Sequence, residues 1–209
     1  MKLIFINLFF SQLFFIQFVF SAGFIPEKFS ANITQVYTSK ITKAEKKSTG
    51  QVIYQSPHQI YFEITAPDPF TFVANASKSW YFRPPFIKGE KAQLTIKDSA
   101  QLGLIKVLDA LQKEIISNTL FTVKKNDKFA EITFSADFKK DLEYEGVQIY
   151  LKDLKANYEL ANTEKLVLVK KDKTTVNLFF EKLDVPKENF QATKFIFTAP
   201  DPNNTVISY

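Results

Sequence analysis

The sequence predicts a mainly β fold: an open, unclosed antiparallel β-barrel of about 10–11 strands, with one helix laid across its mouth. Three observations carry this expectation. Beyond an apolar start, most of the chain alternates apolar and polar side chains with period two. One leucine-rich stretch in the middle has helical spacing instead. Pro, Asn and Asp separate the alternating runs at short intervals, as in a meander rather than an α/β fold.

The elements follow in chain order. The start reads MKLIFINLFFSQLFFIQFVFSAG: one Lys after Met1, an apolar run from Leu3 to Phe20, then Ser21, Ala22 and Gly23. This is the layout of a secretory signal peptide, expected over residues 1–23 with cleavage near Gly23, leaving one domain over 24–209. An uncleaved anchor is the alternative, because the run approaches spanning length; Gln12 and Gln17 weaken it. FSANITQVYTS alternates as a strand, although Phe29, Ile33 and Val36 also fit a helix; strand is preferred. GQVIYQS and QIYFEIT are two strands split at Pro57, the second placing Ile60, Phe62 and Ile64 on one face. Pro67 and Pro69 end it, since proline cannot donate to a ladder. FTFVAN then sets Phe70 and Phe72 on one face, and KSWYF sets Trp80 and Phe82 on one face before Pro84-Pro85.

The helix is expected from about Ala100 to Lys113, N-capped by Ser99, with Leu104, Leu108 and Leu111 in register and Leu102 beside them. TLFTVKK and KFAEITFSA form a hairpin across Asn126-Asp127. GVQIYLKDL, EKLVLVKK and TVNLFFEKL are further strands, Pro186 to Phe190 fits a helical turn, and TKFIFTAP closes the set as a last strand. The five residues TAPDP occur at 65–69 and 198–202. No period of roughly 20–50 residues accompanies them, so they are expected to stop two unrelated strands.

Composition narrows the function. The chain has 209 residues, 45% hydrophobic and 23% charged, enough for one packed core. It has no cysteine, so neither disulfides, a thiol nucleophile nor a lipid-bearing cysteine is available. His58 is the single histidine and is expected to be a solvated turn residue, which excludes a histidine zinc cluster. Glycines are too few for a phosphate-cradling loop, and Glu143 and Glu145 sit in a lysine-rich turn. No catalytic, metal or cofactor residues are assigned. The net charge is +5, but Arg83 is the sole arginine, which argues against nucleic acid; lysines at turns suit solvated edges and, weakly, anionic lipid head groups.

The positive signal is apolar. Ile60, Phe62, Ile64, Phe70, Phe72, Trp80 and Phe82 on strand faces, and Leu104, Leu108 and Leu111 on the helix, are candidate cavity-lining residues. Phe179, Phe195 and Phe197 complete the set. For any one of them an ordinary packed core is the plainer reading; a curved sheet covered by a single helix is the argument for a hollow.

In order and spacing, FSANITQ, QVIYQSPHQIYFEITAPDP, KSWYFRPPF, the leucine helix and the terminal KFIFTAPDPNNTVI resemble the periplasmic outer-membrane lipoprotein carrier family, LolA. The resemblance implies an unclosed barrel with a helical lid over a hydrophobic cavity, the 100–113 helix being the lid. It implies no enzyme, but a monomeric carrier of lipoprotein acyl chains. Its partners would be an inner-membrane ABC-type lipoprotein release complex and an outer-membrane lipoprotein acceptor. The family commonly has Arg, thought to tie lid to barrel, where this chain has Ser56, and a helix before FSANITQ where only Phe24 to Lys28 remain. A periplasmic binding protein for another amphiphile and a ligand-free envelope structural protein are the alternatives.

Overall fold

The computed structural model describes residues 23–39, 42–98, 103–140 and 142–209. The apolar leader, Ser99 and Leu102 lie outside them.

Alternation becomes structure along the first meander. β1 (Lys28–Thr38), β2 (Glu45–Gln55), β3 (Gln59–Ala66), β4 (Phe70–Ala74), β5 (Lys78–Arg83) and β6 (Ala92–Asp98) pair in sequence, each antiparallel to the last. α1 (Gly103–Ala110) interrupts the sheet. β7 (Phe121–Lys125), β8 (Ala130–Phe134), α2 (Ala136–Lys139), β9 (Tyr144–Leu151), β10 (Thr163–Lys170) and β11 (Thr175–Asp184) follow, with β11 returning to pair with β1. β12 (Thr205–Ser208) closes the chain. Among the described residues the twelve strands make one sheet in the order β12-β6-β5-β4-β3-β2-β1-β11-β10-β9-β8-β7. β12 and β7 are its free ends, so the barrel is open.

The structure corrects several expectations. Twelve strands form among the described residues, two of them unexpected: β12 lies beyond the segment expected to be the last strand, and β6 carries its alternation on Leu94 and Ile96 after a Pro- and Gly-punctuated loop. The sheet is not wholly antiparallel, since β12 runs parallel to β6. TKFIFTAP is not a strand. Ala192–Phe195 form a 3₁₀ turn packed on β3, because both of β3's ladder sides are already taken by β2 and β4. The second TAPDP therefore ends a crossing segment, whereas the first does end β3. No helical turn forms at 186–190, and α1 stops at Ala110.

One face of the sheet curves around the main core. Phe29, Ile33, Val52, Tyr54, Ile60 and Phe62 meet Ile105, Val107 and Leu108 of α1 and Leu111 just beyond it, with Ile132, Ile149 and Leu166 from the second half. A smaller cluster sits on the back: Phe82, Ala92 and Leu94, with Trp80, Ile96 and Phe197 against them. Cross-strand register shows the sidedness. Tyr61, Val73, Trp80 and Ile96 are one row, while Phe62, Phe72, Tyr81 and Thr95 are the next row on the opposite face.

Candidate functional site

The curved face is filled along most of its length but hollow at one end. A cavity of about 590 Å³ opens where β1, β3 and β5 stop and β2, β4 and β6 begin. Gln35 and Tyr37 of β1, Ser48 of β2, Ile64 of β3, Phe70 of β4 and Tyr81 of β5 form its walls, in line with the concave-face residues Ile33, Phe62 and Phe72. The corners are Pro67-Asp68-Pro69 and Arg83-Pro84-Pro85-Phe86. Phe70 stacks on Phe62 at 5.9 Å and meets Tyr81 at 5.3 Å, and the Arg83 guanidinium lies 5.7 Å from the Tyr81 ring centre. The result is an aromatic slot with an apolar floor and polar groups at its lip.

Of the thirteen residues singled out from sequence, Ile64 and Phe70 line this cavity. Ile60, Phe62, Phe72, Leu104, Leu108 and Leu111 join the concave core, where Ile60 and Leu111 are fully buried. Trp80, Phe82 and Phe197 lie on the other face, with Phe82 and Phe197 in ring contact at 5.0 Å. Phe195 is buried under the crossing segment beside Phe190. Phe179 also faces away: in the Phe179-Phe180 pair only one ring can take the concave side, and Phe180 pairs with Ile33 there. Gln35, Tyr37, Ser48, Tyr81 and Arg83 were not anticipated; extending the alternation of β1 and β5 to the strand ends is the signal for Tyr37 and Tyr81.

The opposite end of β2 and β3 holds α1. Tyr54 donates from its hydroxyl to Asp109 Oδ1 at 2.5 Å, and His58 Nδ1 lies 2.6 Å from Asp109 Oδ2. Ser56 Oγ donates to Gln112 Oε1 at 2.7 Å. Ser56 thus does tie the helical segment to the sheet, and His58 is half exposed but paired rather than merely solvated. Burial, then Asp109, pushes the Tyr54 phenol well above its usual range. The backbone strengthens the tether, because Phe24 and Ile25 donate to the carbonyls of Lys113 and Leu111. α1 is therefore seated as core: Leu108 is 3% exposed and Val107 1%. Ahead of β1 the described residues, 23–27, form a bent irregular segment and not a helix.

Chemically the slot suits binding. Among the described residues no group of three His, Asp or Glu side chains is placed to hold a metal, and no helix is long and apolar enough to cross a membrane.

No family model matches the sequence. An outer-membrane lipoprotein carrier protein of Shewanella loihica is 25% identical over 177 residues, 84% of this chain and 77% of that protein. Among solved structures, a LolA superfamily protein from Nitrosomonas europaea covers 82% of this chain and 90% of its own, at 10% identity and a TM-score of 0.46. A putative outer membrane lipoprotein-sorting protein domain from Vibrio parahaemolyticus covers 80% and 88%, at 10% identity and 0.37. The chain is thus similar, over most of its own length and most of that protein's, to an outer-membrane lipoprotein carrier, and its unclosed sheet wraps around an apolar face.

Proposed function

We propose that the chain is a periplasmic carrier that shields the acyl chains of lipoproteins and passes them from an inner-membrane ABC-type release complex to an outer-membrane acceptor. The observation that carries this reading is the slot at the open end of the sheet, whose 590 Å³ lies within the usual range of ligand sites, roughly 300–1,000 Å³. Ile64, Phe70, Tyr37 and Tyr81 offer an alkyl chain a largely apolar wall, while Gln35 and Ser48 in the wall and Arg83 at the corner offer ester carbonyls and head groups hydrogen bonds. The lipoprotein carrier of Shewanella loihica supports the choice of cargo.

The carrier's task follows from solvation. At about 0.8 kcal/mol per methylene, exposing a sixteen-carbon chain to water costs on the order of 12 kcal/mol. Release into solution is then very slow, so the cargo must pass directly from one apolar site to another. A slot open at its end permits that; a sealed core does not. The leader-like start of the sequence supports export to the periplasm.

The test is mass spectrometry of lipids retained on protein purified from its native envelope. Triacylated lipoprotein supports the reading. A free amphiphile makes the protein a carrier of another lipid, and an empty slot in protein isolated without detergent removes the carrier role.

A further inference from the structure

The loop between β5 and β6 presents an apolar tip at the lip of the slot. Phe86 is 83% exposed and Ile87 59%, although the neighbouring Phe82 is buried on the back face. The loop is built to hold them out. Pro84 and Pro85 stiffen its approach, Glu90 N–H donates to the Ile87 carbonyl at 3.1 Å, and Gly89 takes a φ of 97° that closes the turn. Phe86 also contributes to the slot wall, so the tip and the opening are one feature.

The charge around this tip is one-sided. Arg83, Lys88 and Lys91 flank it, and all three are exposed. Strand register brings the β1–β2 turn to the same end of the sheet, adding exposed Lys43, Lys46 and Lys47. The acids at this end are Glu45, Asp68, Glu90 and, just ahead of β12, Asp201, against six cations; Glu90 is exposed, but its Oε2 folds back to accept from the Ile87 N–H. The β10–β11 hairpin is at this end as well, but Lys170 and Lys173 there are paired with Glu143 and Glu145.

We propose that this end of the molecule docks on an anionic lipid surface, with Phe86 and Ile87 entering the interface and the surrounding cations on the head groups. Exposed aromatic and aliphatic side chains ringed by Lys and Arg match the two halves of such an interface, an apolar boundary beneath a negative potential. Docking in this pose sets the slot against the membrane. The purpose of the pose rests on the carrier reading; the docking itself does not, and the two are measured separately.

The experiment is flotation of the exported protein, freed of its leader, with vesicles of phosphatidylcholine alone or mixed with phosphatidylglycerol. The protein is expected to float with the mixed vesicles and to detach as salt rises. The double variant F86S/I87S is expected to bind about tenfold more weakly or worse. K88Q and K91Q are each expected to weaken binding about fivefold. Far-UV circular dichroism should be unchanged, because all four side chains are solvent-exposed. Equal flotation of wild type and F86S/I87S, or no preference for the anionic vesicles, overturns the proposal and leaves the tip as a contact for protein. Loss of acyl-chain binding with flotation intact would count against the carrier reading alone.

Discussion

At the scale of single residues, the concave face carries a pH signature. Tyr144 stands at the start of β9, where its ring would touch a methyl group placed on Gly103 of α1. Burial first, then the negative charge of Glu143, pushes its phenol from 10.0 up to about 12. The folded pKa is raised, so the contribution is complete below the unfolded value and is lost as pH climbs toward the folded one. Chemical denaturation should therefore show stability falling between pH 10 and about 12. Y144F should blunt that fall by about 2–3 kcal/mol while leaving neutral-pH stability nearly unchanged. Tyr54 is shifted in the same direction, so part of the alkaline decline should survive in the variant. A decline of equal size in wild type and variant would assign it to other groups.

At the scale of elements, the helix decides how the molecule works. A free lid would tolerate a charge on its inner face, but α1 buries Ile105, Val107 and Leu108 in the same cluster as Phe29 and Ile60. L108E should thus destabilise the whole fold by about 3 kcal/mol or more, read as an earlier urea midpoint, because an unpaired carboxylate enters the core. The tether at its C-terminal end is a separate quantity. D109A removes the acceptor of Tyr54 and the partner of His58, and is expected to cost about 1–3 kcal/mol and to raise hydrogen exchange in residues 107–113 before the rest of the sheet. The sequence disclosed α1 because its leucines recur at helical spacing, and β3 because Ile60, Phe62 and Ile64 are unambiguous. It did not disclose the tether, which joins residues more than fifty positions apart. Alternation also shows which side chains share a face without showing which face closes. Trp80 and Phe82 do share one, but it is the back, where the crossing segment covers them with Phe197. Of the slot, Ile64 and Phe70 were legible directly and Tyr37 and Tyr81 only by carrying the alternation of β1 and β5 along the strands; Gln35, Ser48 and the turn residues read as surface.

At the scale of the whole molecule, the sheet has two apolar faces with different duties, and this can be measured. The back cluster is closed by the chain itself: Phe197 covers Phe82, and Asn75 Nδ2 donates to the Phe195 carbonyl to hold the segment down. The concave face is closed by α1 over most of its area and left open at the slot. A ligand that binds the folded protein alone raises its stability by mass action, about 2.7 kcal/mol at a hundredfold excess over Kd. A long-chain fatty acid at that excess should therefore raise Tm by roughly 5–10 °C. F70E puts a charge on the slot wall at a half-buried position and gives up the rings of Phe62 and Tyr81, so the free protein should lose about 1–3 kcal/mol and stay folded while the ligand-induced shift falls below detection. F82S acts on the other side of the same sheet. It should lower Tm of the free protein through lost packing against Phe197 and Leu94, yet leave the ligand-induced shift intact. Loss of the shift in F82S and its retention in F70E would place the ligand on the back face instead and remove the slot as the carrier site.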